Sequence, residues 1–215
     1  MNELQKTEAP DRVDLRLVRG DRSRKAITRH AVDVASLEGL SGLSMGRLAT
    51  DLGLSKSGVA TLFGTKEKLQ LATVEAAREA FLDEVVRPVL TTSRGAERLR
   101  SLTERWIAYA STPLFPGGCF WAANLPDFDS RPGPVRDALA RQRRDWLDLL
   151  AGEFRHAVGA RQIPGADAEL AAFQIDAVLL ATNTALRLGD AGAPDMARRV
   201  VDGFLTPGRG ADERG

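Results

Sequence analysis

The sequence predicts an all-α protein in which an N-terminal three-helix head with a helix-turn-helix corner is joined to a larger helical domain. Three observations carry the helical part of that expectation. Apolar residues recur at helical spacing in successive windows, no segment reads as a convincing strand, and β-branched runs are scarce beside an aromatic share of only 6%. With 43% hydrophobic and 27% charged residues, the 215-residue chain has the composition of a soluble globular protein. Its length allows a small domain joined to a larger one.

Residues 1–20 are polar and broken by Pro10 and Gly20, so they read as a flexible basic arm whose Arg12, Arg16 and Arg19 lead into Arg22, Arg24 and Lys25. From Ser23 to Leu37, the residues Ile27, Ala31, Val34 and Ala35 form one apolar stripe. After EGLSGLS, Ser44 caps a short second helix that turns Met45, Leu48, Ala49 and Leu52 inward and stops at Gly53. Ser55 caps a third, with Val59, Leu62 and Phe63 inward and Gly64 as terminator.

Two short helices meeting at a glycine-containing corner are a helix-turn-helix by geometry, and the front of the second keeps Lys56, Ser57, Gly58 and Thr61. Small and hydroxyl-bearing side chains permit close approach to a groove, and Lys56 beside a helix N-terminus suits phosphate. The same face is compatible with the solvated side of an ordinary three-helix bundle. Thr65 then caps a long helix that runs until Pro88 bends or ends it. Lys66 and Lys68 stand in its first turn against the helix dipole, where a polyanion would favour them; screening by solvent is the competing account.

Beyond it, a helix over 95–111 carries Leu99, Leu102, Trp106 and Tyr109 on one side. The breaker-rich TPLFPGGCFWAANLPDFDSRPGP follows, with a brief apolar segment from Cys119 to Leu125. With Pro134 in its first turn, the next helix uses Val135, Leu139, Trp146, Leu150 and Phe154, and its charged face reads as solvated. Residues 167–188 are apolar on nearly every side, including Leu170, Phe173, Ile175, Val178, Leu179, Leu180 and Leu186, which suits a domain centre or a partner chain. APDMARRVVDGFL supplies a helix beside it, and the tail from Pro207 reads as disordered.

The formal charge of +1 means that any DNA-binding surface must come from uneven charge distribution. One cysteine excludes an intramolecular disulfide and a multi-cysteine zinc site, and the composition suits a reducing cytoplasm. His30 and His156 stand in no metal or triad spacing and read as solvent-facing. Asp127 and Asp129 lack the glycine and final glutamate of a calcium loop. No metal, cofactor or catalytic residue is expected. No apolar run approaches the roughly 20 residues of a membrane span, and MNELQKTEAPDR lacks the apolar core of a signal peptide.

Trp106, Tyr109, Phe115, Phe120, Trp121, Trp146 and Phe173 are candidates to line an apolar ligand pocket, with Asn124 and Asn183 as polar anchors. Plain core packing is the alternative for each, and Asn183 would equally suit a dimer register. Cys119 is a further pocket candidate; a redox role would need an exposed thiolate near positive charge, whereas a lone cysteine is more often a small buried hydrophobe.

Residues 23–69 resemble the DNA-binding head of the TetR family of bacterial transcriptional repressors. The amphipathic first helix, LSMGRLATDLGLSKSGVATLFGTKEKL and the lysine opening the fourth helix carry the resemblance. The body from about 70 to 205 is similar to the family's effector-binding and dimerisation region in order and length, and FPGGCFWAAN and FDSRPGPVRD look like those of one subgroup.

The resemblance implies a cytoplasmic, non-enzymatic homodimer, joined through its C-terminal helices, that lays its third helix in the major groove of each half of a palindromic double-stranded operator. An apolar or aromatic small-molecule effector would release it. The DNA-binding positions implied are Ser44, Lys56, Ser57, Gly58, Thr61 and Lys66, with Arg24 and the arm before it on phosphate or minor groove. Two departures stand out: Ala60 occupies the usual tyrosine position and Leu62 that of a histidine common two places later, which removes backbone contacts. Expected boundaries are 1–20 for the arm, 21–69 for the head, 70–206 for the body and 207–215 for the tail. The alternative is a helical sensor or small enzyme that retains the helix-turn-helix as a packing unit.

Overall fold

The computed structural model describes residues 15–165 and 167–206, and all regular structure among them is helical. Nine α-helices follow one another in that range: α1 (Leu15–Glu38), α2 (Met45–Asp51), α3 (Lys56–Phe63), α4 (Lys66–Phe81), α5 (Ala96–Ser111), α6 (Phe120–Phe128), α7 (Pro134–Gly159), α8 (Ala168–Arg187) and α9 (Ala193–Leu205). The first helix starts at Leu15, ahead of the Ser23 read from its apolar stripe, so the last part of the expected arm is helical. The rest of the arm, residues 1–14, and the tail from Pro207 lie outside the described residues.

Each short helix of the head has its own local start signal. The Ser44 hydroxyl accepts from Arg47 N at 3.1 Å, Ser55 from Gly58 N at 3.0 Å and Thr65 from Lys68 N at 3.2 Å. Gly64, at φ 74°, ends α3 in the left-handed region. Ile27, Ala31, Val34 and Ala35 of α1 are buried with Leu48, Ala49, Val59, Phe63 and Leu69, so three helices and the start of α4 pack together within a core that continues into the rest of the molecule. His156 is exposed as expected, whereas His30 is half-buried and bonds Asp51 at 2.9 Å, tying α1 to α2.

The long helix keeps α geometry only to Phe81. A π turn over Leu82–Val86 and a 3-10 turn over Arg87–Val89 complete it. Pro88 has no N–H to continue the ladder, and the wider turn before it is how the chain accommodates that loss. It turns Val85 and Val86 into the body.

The segment from Cys119 becomes a full helix, despite Pro126 inside it. Its start signal is not local: Cys119 N donates to Asn183 Oδ1 of α8 at 2.8 Å and Phe120 N to the Tyr109 hydroxyl of α5 at 3.1 Å. A comparable device starts α5, where the buried carboxylate of Glu153 on α7 accepts from Gly95 N at 2.7 Å and pairs with Arg94 and Arg98.

Helices α8 and α9 bury Ala171, Ala172, Ile175, Leu179, Ala197, Val201 and Leu205. Their other side leaves Leu170, Phe173, Met196 and Val200 at least 40% exposed. No helix among the described residues is long and apolar enough to cross a membrane.

Candidate DNA interface and effector cavity

On α3, Lys56, Ser57, Gly58 and Thr61 are exposed while Val59 and Phe63 anchor the helix from behind. Ala60 and Leu62 are half-buried, so the two positions that depart from the family pattern sit at the edge of the outward face. Thr61 donates back to the Ser57 carbonyl at 2.8 Å, which leaves its hydroxyl oxygen able to accept. Ser44 is exposed at the start of α2. Lys56 and Lys68 have no acidic partner among the described residues, whereas Arg47 is tied to Glu38 and Asp51.

Two predicted DNA contacts are engaged within the protein. Arg24 donates to the Leu62 carbonyl at 2.7 Å and lies 4.7 Å over the Phe63 ring, so in this arrangement it buttresses α3. Lys66 donates to the Ser41 carbonyl at 2.6 Å. Both residues stay exposed.

A separate cavity of about 80 Å³ opens between α4, α5, α6, α7 and α8. Four of the predicted pocket residues border it: Trp106, Cys119, Trp121 and Trp146. The other six do not. Tyr109, Phe115 and Phe120 are buried elsewhere in an edge-to-face aromatic run, with ring centroids 6.0 and 6.4 Å apart along it. Phe173 points outward and is 54% exposed. Asn183 is buried and holds the start of α6, and it is not among the residues lining the cavity. Asn124 sits on the side of α6 turned to the head.

Sequence reasoning missed Phe81, Leu125, Gln142, Arg143 and Asp176 on the cavity wall. Gln142 and Arg143 belong to the face of α7 read as solvated, yet Gln142 is buried and Arg143 reaches Asp176 at 2.8 Å. Burial raises the Asp176 carboxyl above the ordinary carboxylate range, and Arg143 opposes that rise. An acid in the middle of a largely apolar helix was the available signal. Burial also pushes the Cys119 thiol up, the opposite of what a reactive thiolate needs.

The cavity and the head meet through α6. Asn124 Oδ1 accepts from Leu40 N at 2.7 Å, and its Nδ2 donates to the Ala35 carbonyl at 3.2 Å and to Phe120 O at 2.7 Å. Gln70 Nε2 takes the Leu40 carbonyl at 2.9 Å, and Asp127 holds Ser41 and Arg131. Just before α6, Gly117 N bonds Ser36 Oγ at 3.0 Å. A Cβ at Gly117 would overlap the Ser36 carbonyl, so only glycine lets this loop rest on the end of α1. FPGGCFWAAN is thus a joint between head and body beside α4, which runs from its cap at Thr65 to Phe81 on the cavity wall.

A helix-turn-helix head with an outward short helix, bonded to a helical body with its own cavity, defines a DNA-binding regulator with a sensory domain. The family model of the tetracyclin repressor-like C-terminal domain matches residues 95–201. The fold agrees over nearly the whole molecule with a TetR transcriptional regulator from Chloroflexus aurantiacus (TM-score 0.80, 20% identity, 88% of this chain and 98% of that one). A regulator from Saccharomonospora viridis in complex with choline is also similar (TM-score 0.74, 20% identity, 86% and 96%). So is AibR in complex with isovaleryl coenzyme A and operator DNA (TM-score 0.68, 20% identity, 86% and 98%). Among curated proteins none matches the sequence. The chain belongs to the TetR family of transcriptional regulators.

Proposed function

We propose that the protein is a homodimeric repressor whose α3 enters the major groove of each half of a palindromic operator, and that a small molecule in the α4–α8 cavity releases it. The observation that carries this reading is the outward face of α3: Lys56, Ser57, Gly58 and Thr61 stand exposed on a helix whose other side is fixed by α1 and α2. An N-terminal helix end with lysine beside it meets phosphate, and the small residues admit base edges. The exposed apolar residues on α8 and α9 support the dimer, because a face carrying Leu170, Phe173, Met196 and Val200 is better covered than wet. AibR and the Saccharomonospora regulator, with their bound small molecules, support an effector.

Release follows from the two faces of α6. Cys119, Trp121 and Leu125 face the cavity, and Asn124 holds Leu40 on the other side. A ligand larger than the space of about 80 Å³ moves one of its walls. When that wall is α6, the end of α1 moves with it, and the spacing of the two heads shifts away from successive major grooves.

Selection from a random duplex pool, followed by anisotropy at two salt concentrations, tests the DNA half. The expected product is a two-fold symmetric site bound tightly and with strong salt dependence. Failure to enrich any sequence would contradict the proposal.

A further inference from the structure

The cavity wall carries polar groups of two kinds, and the difference between them narrows what fits. The charged ones cancel internally: Arg143 lies 2.8 Å from Asp176, and Arg78 lies 3.8 Å from Asp145. A cation would find Asp176 already held by two nitrogens of Arg143, at 3.2 and 2.8 Å. An anion would find both arginines matched. Either would bring an uncompensated charge into a partly buried, largely aromatic space.

The neutral groups are not satisfied. Trp121 Nε1 and Gln142 Oε1 are both buried, both belong to residues on this wall, and neither has a hydrogen-bond partner. Gln142 is only 8% exposed. Its Nε2 faces Glu75 Oε2 at 3.5 Å; a carboxylate only accepts, so the amide turns its NH2 that way and leaves the oxygen as the orphan. The residues of this wall therefore hold one unused donor and one unused acceptor, closed to solvent until a ligand parts the side chains, and a buried polar group without a partner is costly. Phe81, Trp106 and Trp146 supply flat apolar surface around them, with Phe81 edge-on to Trp121 at 5.1 Å and to Trp146 at 5.5 Å.

We propose that the cavity takes a neutral, single-ring hydroxyaromatic molecule whose hydroxyl accepts from the Trp121 indole N–H and donates to Gln142 Oε1, its ring lying among Phe81, Trp106 and Trp146. A hydroxyl does both jobs with one atom; an ammonium only donates and a carboxylate only accepts. The inference rests on reading the cavity as the effector site.

Calorimetric titration of the full-length protein with 4-methylphenol, toluene, 4-methylbenzoate and benzyltrimethylammonium tests it. The expected result is 4-methylphenol binding about tenfold or more tighter than each of the others. Gln142→Leu and Trp121→Phe should each reduce its advantage over toluene by about fivefold, and the double variant should abolish it while toluene still binds. Retained toluene binding also shows that the variants are folded. Equal affinity for toluene and 4-methylphenol, a preference for either charged probe, or an unchanged preference in the variants would overturn the ligand class but leave the cavity as a binding site. If none of the four binds, the effector-site reading falls as well.

Discussion

The head and the body hold their functional groups in opposite ways. In the head, Lys56, Ser57, Gly58 and Thr61 are exposed to solvent on a helix fixed from behind by Val59 and Phe63. In the body, Trp106, Trp121, Gln142 and Asp176 converge from four helices on one small cavity. Exposed groups change little in stability when altered and much in recognition, whereas converging buried groups change both. The joint at Asn124 belongs to neither region: it is buried like the cavity wall, but its partners Leu40 and Ala35 belong to the head.

That contrast can be broken at four points, in order of expected effect. Leu170→Glu with Phe173→Glu places charge on the exposed apolar side of α8, and sedimentation should show the dimer mass halved with operator affinity down by about 100-fold or more. Asn124→Ala strands the Leu40 N–H, while the Ala35 carbonyl keeps Gly39 N, a loss of about 2 kcal/mol. Thermal unfolding should then come about 5–10 °C earlier, and ligand should no longer release DNA from the variant. Lys56→Ala with Thr61→Ala should weaken operator binding about 10–100-fold and lower the log–log salt slope by about 1, leaving cavity titrations unchanged and stability within about 0.5 kcal/mol.

The smallest effect concerns Asp176. Its carboxyl is raised in the folded protein by burial, so folding favours the protonated form. That contribution is present in full below the model-compound value of 3.8 and is lost as pH rises through the raised one. The melting temperature of Asp176→Asn minus that of the parent should therefore widen as pH climbs from about 4 and then level off. A gap independent of pH would show that the carboxylate titrates alike in the folded and unfolded chains.

The same contrast explains what could be read from the sequence. The head was legible because its signals are local: Ser44, Ser55 and Thr65 each cap the helix that follows them, and Gly64 closes the one before. Helix α6 was not, because Tyr109 and Asn183, from two other helices, supply its start. The aromatic residues were identifiable by type, but only contact between distant helices separates Trp121, on the cavity wall, from its neighbour Phe120, in the core. Gln142 and Arg143 were hidden for the same reason: a charged helix face looks wet until another helix covers it.

The claim most open to direct attack is that α6 joins operator and cavity into one system. Hydrogen exchange of the full-length protein with and without the selected duplex reads this amide by amide. Protection should rise over α3 and also change at Leu40 and through α6, since coupling between two binding sites is reciprocal. Changes confined to 44–66, with Leu40 and α6 untouched by bound DNA, would contradict the account.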